Sequence, residues 1–252
     1  MSSSSSSFAE IAPRYDRLRP LLEGDRRRIT KLLEGVKPSD TILEVGCGTG
    51  RYTIPIAELS RARVIGVDQE PRMLEVAREK DRDKRIDWRS GTAYRLPIAD
   101  QTVDLVFMAM LVHLLKQRTK ALKEAARVVR QAGQLTIWTF TPGHIENYYL
   151  NGFFPSIRAI DLARFPPPSR LERDLLVAGF EKVTTRTDVD EGEVSLATVV
   201  DRVRGRYIST LSLLTPAEYR QGLQRLEELL ASDPTRTLYH RFEWALISAH
   251  KP

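Results

Sequence analysis

Short apolar runs alternate with amphipathic stretches along the first 140 residues of the chain. The runs are rich in β-branched residues and end at glycine, proline or charged residues, which predicts short buried strands. These strands are expected at residues 41–45, 63–67, 86–89, 103–108 and 134–140. Helices are expected between them at 51–59, after Pro71 and at 118–129. Such alternation predicts an α/β fold, in which a parallel sheet carries helices on both faces.

The two ends of the chain depart from this rhythm. Residues 10–35 predict one helix, or two short helices broken near Pro20. Residues 141–168 combine prolines, glycines and aromatic residues and predict an irregular insertion. The remaining pattern predicts helices at 169–178, 195–205 and 216–231, and strands at 181–188 and 238–249.

The composition indicates a globular protein. A chain of 252 residues with 42% hydrophobic and 29% charged residues suits one α/β domain with insertions. No apolar run approaches the length of a membrane span. We expect a disordered serine-rich tail at residues 1–8, because Ser2–Ser7 lack the apolar core of a signal peptide. Residues 9–252 would then form a single domain with cap insertions at about 141–168 and 190–237.

Cysteine content and charge limit the compartment and the partners. The single cysteine, Cys47, excludes an intrachain disulfide and favours a reducing, cytoplasmic compartment. The net charge of +6 is compatible with RNA, DNA or an acidic small substrate. The arginines are scattered, however, and no stripe interleaves basic with aromatic residues. Solvated helix faces are therefore favoured, and nucleic acid stays an alternative partner.

A glycine-rich turn follows the first predicted strand in the segment Ile42–Gly50, Ile-Leu-Glu-Val-Gly-Cys-Gly-Thr-Gly. Such a turn brings bare backbone and helix N–H groups close to a ligand. The dinucleotide pattern G-x-G-x-x-G fails, because its third glycine falls on Arg51 or Thr53. Glu44 suits a cationic amine better than a phosphate, and Asp68, which ends the second strand, can accept ribose hydroxyls. The pattern predicts an adenosine ligand with an amino-acid tail and no phosphate.

These residues resemble motif I and the following acidic motif of the class I S-adenosylmethionine-dependent methyltransferases. Further segments that resemble the family follow in order at Gly91–Pro97, Asp100, Val103–Phe107, Leu111–Leu115 and Ala126–Gly133. The resemblance covers about residues 10–140. It implies a Rossmann-like sheet of seven strands, in which the last two predicted strands form an antiparallel hairpin. The family's usual Pro-Gly-Gly is replaced by Gln131-Ala132-Gly133, and a positive φ there would strain the alanine.

The resemblance also implies S-adenosyl-L-methionine as the cofactor and S-adenosyl-L-homocysteine as the product. Tyr15 and Arg19 match an N-terminal segment that covers the cofactor in relatives, and the alternative is an amphipathic surface helix. Cys47 is interpreted as a small residue that fills the turn. The cofactor-binding residues that the family pattern implies are Tyr15, Arg19, Glu44, Gly46, Cys47, Gly48, Gly50, Asp68, Gln69, Met73, Thr92, Ala93 and Met108.

His113 is the candidate catalytic base, because it follows the fourth strand at the ligand edge and matches a histidine common in the family. The alternative is a histidine packed under the cofactor or capping its helix. The insertions add aromatic and basic residues that suit a flat or acidic substrate. The substrate residues expected there are His144, Tyr148, Tyr149, Phe153, Arg206 and Tyr207. No metal is expected, because the histidines lack metal-ligand spacing.

Three functions are compatible with these features. The first is methyl transfer by in-line displacement to an oxygen or nitrogen of a small aromatic or acidic metabolite, because two cap insertions favour an enclosed site. The second is an RNA- or protein-directed methyltransferase of the same fold. The third is a cofactor-binding regulator without catalysis. No membrane partner is expected, and the sequence leaves the acceptor molecule and the oligomeric state open.

Overall fold

A mixed sheet of seven strands forms the centre of the computed structural model, which describes residues 8–252. The strands are β1 (Thr41–Val45), β2 (Arg63–Asp68), β3 (Ile86–Ser90), β4 (Val103–Ala109), β5 (Val129–Phe140), β6 (Glu181–Ser195) and β7 (Thr237–His250). Their order across the sheet is β3-β2-β1-β4-β5-β7-β6. The first five strands pair in parallel, and β7 pairs antiparallel with β5 and β6. The predicted Rossmann-like fold with an antiparallel C-terminal hairpin is confirmed.

Helices cover both faces of this sheet. The helices are α1 (Tyr15–Leu18), α2 (Glu23–Leu32), α3 (Thr53–Ser60), α4 (Pro71–Lys80), α5 (Arg118–Val128), α6 (Pro142–Glu146), α7 (Ser156–Arg164), α8 (Pro168–Val177), α9 (Leu196–Arg204) and α10 (Pro216–Ser232). Side chains alternate between the faces of a strand, so Leu43 packs in one apolar cluster with Leu122 of α5. Its neighbour Ile42 packs in another with Ile56 of α3.

The carboxyl ends of the parallel strands meet at one edge of the sheet. Val45 lies opposite Val67, Asp68 lies opposite Ser90, and Ala109 lies opposite Trp138. Ligands of open α/β sheets bind outside this edge. The glycine turn after β1 and the acid that ends β2 are therefore neighbours by topology.

The start of β5 differs from the sequence prediction. The strand begins at Val129, directly after α5, and not at residue 134. Ala132 has a φ of +58°, in the left-handed region that favours glycine. Its N–H donates to the carbonyl of Lys251 at 3.1 Å, which fixes this turn against the C-terminal end of the chain. The strained alanine lies at the edge of the sheet remote from the glycine turn.

Two insertions form a separate layer beyond the carboxyl edge, and we call residues 142–164 and 196–232 the roof. β6 continues to Ser195, past the predicted end at residue 188, so the hairpin with β7 carries the second insertion at its far end. Phe154 of the first insertion packs in one apolar cluster with Val199 and Leu226 of the second. The roof therefore has an apolar core, to which Leu18 of α1 also contributes.

The N-terminal end of the described chain also packs against the domain. Residues 1–7, which make up most of the expected serine-rich tail, lie outside the described residues. Phe8 packs against the cluster of Ile11, Ala12 and Met73. Within residues 8–252, no helix is both long enough and apolar enough to cross a membrane.

Candidate functional site

The turn after β1 has a backbone that only glycines adopt readily. Gly46, Gly48 and Gly50 have φ values of +74°, +55° and +74°. A Cβ on Gly46 would lie 2.8 Å from Leu111, and one on Gly50 would lie 2.6 Å from Trp88. At Gly48 no atom of the described chain lies within 4 Å of that position. Of the three glycines, Gly48 therefore leaves the backbone most open to a ligand.

Asp68 closes one side of this turn. One carboxylate oxygen accepts the N–H of Gly48 at 2.8 Å, and the other accepts the N–H of Glu70 at 2.8 Å. Burial raises the pKa of Asp68, and the N–H groups of Glu70 and Gly48 oppose that rise. Each carboxylate oxygen can accept a second hydrogen bond, so Asp68 still has the capacity to bind two hydroxyls.

Glu44 lies beneath the turn, on β1, and is buried. It accepts a hydrogen bond from the hydroxyl of Thr53 on α3. Burial raises the pKa of Glu44 to about 8, although Thr53 and Arg51 oppose the rise. Near neutral pH this side chain holds its proton unless a cation approaches it.

The N-terminal segment crosses the outside of the turn. Asp16 accepts a hydrogen bond from the hydroxyl of Thr49 at 2.6 Å, and Lys80 pairs with Asp16 and donates to the carbonyl of Thr49 at 2.7 Å. Arg19 donates to the hydroxyl of Tyr15 at 3.1 Å. These contacts hold the N-terminal segment against the turn. That Tyr15 and Arg19 cover a bound cofactor stays a prediction.

Other residues expected at the cofactor surround Asp68. Gln69 is exposed next to it, and the N–H of Gly91 donates to the carbonyl of Asp68 at 3.0 Å, so the following Thr92 and Ala93 lie at the same edge. The indole ring of Trp88 packs against both Gly50 and Gly66. The sequence analysis did not single out Trp88.

Burial decides the state of the cysteine in the turn. Burial, followed by Asp68 and Glu44, raises the pKa of the Cys47 thiol. The thiol is therefore protonated at neutral pH and is a poor nucleophile. This supports the interpretation of Cys47 as a residue that fills the turn.

A cavity of about 120 Å³ lies between the N-terminal segment, the ends of β4 and β5, and the roof. Of the expected residues, it is lined by Arg19, His113, His144, Tyr148 and Tyr207. The lining residues that the sequence analysis missed include Met110, Phe140, Asp161, Phe165, Phe242 and Trp244. Arg202, in the basic run of the second insertion, also lines the cavity. Aromatic rings thus form much of the wall, and they come from strand ends and both insertions.

His113 lies in the short turn after β4, where its ring stacks on Phe165 with the centroids 4.0 Å apart. Its Nδ1 is buried and has no hydrogen-bond partner among residues 8–252. Burial, with the charges of Arg164 and Arg19, lowers the pKa of His113 well below its ordinary value. The imidazole is therefore neutral at pH 7, and the same surroundings make it a weaker proton acceptor than a solvent-exposed histidine.

Comparison with known proteins shows to which family this chain belongs. A model of a methyltransferase domain matches residues 43–137. Demethylmenaquinone methyltransferase of Deinococcus radiodurans is 30% identical over 200 residues, which cover 69% of this chain and 83% of the relative. The protein of that name from Thermus thermophilus is 31% identical over 201 residues, which cover 69% and 90%. The chain belongs to the class I S-adenosylmethionine-dependent methyltransferases.

A solved structure agrees with this family. Phosphoethanolamine N-methyltransferase 2 of Haemonchus contortus, determined with phosphomonomethylethanolamine and S-adenosylhomocysteine, superposes with a TM-score of 0.61 at 19% identity. The match covers 99% of this chain and 58% of that chain. At this identity the likeness concerns the fold, which in both proteins is that of a methyltransferase.

Several expected site residues of this methyltransferase do not line the cavity. Met73 is buried against Ile11 and Ala12. Met108 is fully buried in the apolar core, whereas Met110, beyond the end of β4, lines the cavity. Phe153 packs against the apolar core of the roof. Arg206 donates to the carbonyl of Leu211 at 2.8 Å and lies over the ring of Tyr219, so its side chain is used within the roof.

The other expected substrate residues meet at the roof. His144 is buried, stacks on Phe140 with centroids 3.8 Å apart, and has a pKa lowered by burial to about 4. The hydroxyl of Tyr207 contacts the hydroxyls of Tyr148 and Tyr149, the latter at 3.0 Å. The three phenols join the first insertion to the second. In residues 8–252, no cluster of His, Cys, Asp or Glu is suited to a metal ion.

Proposed function

We propose that this methyltransferase transfers the methyl group of S-adenosylmethionine to an oxygen or nitrogen of a small aromatic or acidic metabolite. The observation that carries the proposal is the aromatic-lined cavity beneath the roof. It joins Arg19 and Met110, beside the cofactor turn, to the aromatic lining of the insertions. A lining of aromatic rings with a few charged groups is typical of sites for small organic ligands.

The residues around the turn fit the cofactor. The open space at Gly48 leaves room for a ligand against the backbone, and Asp68 can accept both ribose hydroxyls. Arg19 would pair with the carboxylate of the amino-acid tail, and Glu44 would favour its ammonium group. Bound S-adenosylmethionine supplies a methyl group already activated on a sulfonium sulfur.

The chain's own contribution is to orient the acceptor, exclude water and hold a proton. The roof and the N-terminal segment enclose the cavity, and an oriented acceptor reacts faster because little entropy is lost at the transition state. His113 lines the cavity in its neutral form. It would accept the proton of an acceptor hydroxyl, whereas a neutral amine needs no base before it attacks.

The roof also separates this function from the two alternatives. An RNA- or protein-directed enzyme needs an open groove, whereas this cavity is covered by two insertions that pack together. A regulator without catalysis does not need a neutral base in the cavity. Because two relatives are named demethylmenaquinone methyltransferases, a demethylmenaquinone belongs among the acceptors to be tested.

The test has two stages. Calorimetric titration with S-adenosylhomocysteine should show binding that Asp68→Ala weakens by about tenfold or more, equivalent to about 1.4 kcal/mol. Asp83→Ala is the control, because Asp83 is exposed and pairs only with Arg85 among the described residues. Unchanged affinity in Asp68→Ala would show that the cofactor site is placed wrongly.

The second stage measures S-adenosylhomocysteine release with phenols, catechols, amines and a demethylmenaquinone as acceptors. For a hydroxyl acceptor, His113→Gln should lower kcat by roughly 10²–10⁴ while cofactor affinity is kept. Transfer to RNA alone, or turnover of no acceptor, would contradict the proposal.

A further inference from the structure

Arg202 lines the cavity from α9 without a charged partner. Its Nε is buried and has no hydrogen-bond partner among residues 8–252, and no ion pair joins it to a carboxylate of that range. The next arginine on the helix, Arg204, instead pairs with Glu227 at 2.8 Å on the outside of the roof. A partly buried guanidinium without an anionic partner is costly, because it has lost water and gained no acceptor.

The carboxylates in the cavity wall are already neutralised. Asp25 and Asp190 both pair with Arg28, at 2.9 Å and 2.5 Å. Asp161 accepts the hydroxyl of Thr210 at 2.7 Å and pairs with Arg164 at 3.3 Å. None of these acids is therefore free to balance the charge of Arg202.

The other arginines in the cavity wall already have partners or a proposed role. Arg51 lies 3.5 Å from Asp25, and Arg19 contacts the hydroxyl of Tyr15 and is reserved for the cofactor in the proposed function. Arg202 is then the cation left for the acceptor. Burial and the charge of Arg202 lower the pKa of His240, and the charge of Asp190 opposes this shift.

We propose that Arg202 binds an anionic oxygen group, a carboxylate or a phosphate, on the aromatic acceptor of this methyltransferase. This inference rests on the proposed function and specifies its substrate class. The guanidinium forms charge-assisted hydrogen bonds with such a group, while the rings of Phe140, Phe242 and Trp244 pack against the aromatic part. An ammonium-bearing acceptor is disfavoured, since it would place a second cation beside Arg202 and the cofactor sulfonium.

The test compares matched probes on protein saturated with S-adenosylhomocysteine. The probes are 4-hydroxybenzoate, 4-hydroxyphenyl phosphate, the neutral 4-hydroxybenzamide and the cationic tyramine, each titrated by calorimetry. We expect at least one anionic probe to bind about tenfold or more tightly than the amide and the amine. Comparison of the benzoate with the phosphate shows which anion the site prefers.

Variants of the two arginines on α9 assign the preference. Arg202→Gln should abolish the preference for the anion and Arg202→Lys should retain part of it, with thermal unfolding showing that both are folded. Arg204→Gln should leave the preference intact. The inference is overturned if the amide or amine binds as well as the anions, if no anion binds, or if Arg202→Gln keeps the preference. Loss of S-adenosylhomocysteine binding by the unmodified protein would instead refute the proposed function.

Discussion

Gly48 combines a left-handed backbone with open space, so one substitution separates strain from ligand contact. Gly48→Ala should cost about 1–2 kcal/mol of stability through its φ. The new methyl group should also weaken cofactor binding by about tenfold or more, because it fills the space where the ligand meets the backbone. Calorimetry with S-adenosylhomocysteine and chemical denaturation measure the two effects.

The control for Gly48 is Gly35, in the turn after α2. Its φ is +83°, and no atom of the described chain lies within 4 Å of its Cβ position. Gly35→Ala should therefore lose a similar amount of stability and keep cofactor affinity. Equal affinity in the two variants would show that the space at Gly48 is not used by the ligand.

Because its pKa is raised on folding, Glu44 should make the protein less stable as the pH rises. Its pKa is 4.5 as an ordinary glutamate and about 8 when buried, so the folded protein holds an extra proton between these values. The stability from this proton is fully present below the lower value and is lost as the pH rises through the upper one. Between these two limits the free energy of unfolding should fall by about 5 kcal/mol at most.

Glu44→Gln keeps a polar group for Thr53 and cannot ionise. The melting temperature of the unmodified protein, minus that of Glu44→Gln, should fall between about pH 5 and pH 8.5 in the absence of cofactor. Glu58→Gln, at an exposed position of α3, should give a flat difference. A flat difference for Glu44→Gln as well would mean that Glu44 is ionised in the folded protein.

Single residues also show which parts of the candidate site could be predicted from the sequence and which could not. Glycine spacing and strand order were enough to bring Gly48 and Asp68 together, because both lie at strand ends fixed by local pattern. Arg202 and Arg206 have the same chemistry, but Arg202, within α9, lines the cavity, whereas Arg206, beyond the helix end and with a φ of +51°, contacts Leu211 and Tyr219. These geometric features are set by packing and not by residue type.

At the scale of elements, the three tyrosines join the two insertions of the roof. Tyr207→Phe removes the hydroxyl that contacts both Tyr148 and Tyr149, which should cost roughly 1–3 kcal/mol and raise KM for the acceptor. Cofactor affinity should not change. Urea denaturation and steady-state kinetics measure this, and Tyr239→Phe, on an exposed ring, is the control. Equal effects of the two substitutions would argue against a role of the contact.

The hairpin of β6 and β7 shows why element boundaries were harder to predict. Asp188–Glu193 is a run of acidic and small residues that is typical of a loop, yet it pairs residue by residue with β7. The partner strand lies some fifty residues away along the chain. Pairing between such distant segments leaves no local signature, whereas the helix α5 and the parallel strands did leave one.

At the scale of the whole molecule, a buried ion cluster joins the N-terminal helix to the C-terminal hairpin. Arg28 of α2 is 1% exposed, pairs with Asp25, Asp188 and Asp190, and lies 4.5 Å from the centroid of the Trp244 ring. Arg28→Met leaves three carboxylates without this partner and should cost about 3–5 kcal/mol. Urea denaturation measures the loss.

The neighbouring arginine is a matched control. Arg27 pairs with Asp190 at 3.0 Å but is 55% exposed, so Arg27→Met should cost at most about 1 kcal/mol. If the two substitutions cost the same, the cluster does not depend on burial.

The apolar core of the roof is built mainly from the two insertions, and Leu18 of α1 also packs into it. In the proposed function, residues before Thr141 bind the methyl donor, whereas most of the cavity-lining residues that would choose the acceptor come after it. Replacing the two insertions with a different pair should therefore change which acceptors the enzyme methylates and leave its affinity for the methyl donor unchanged.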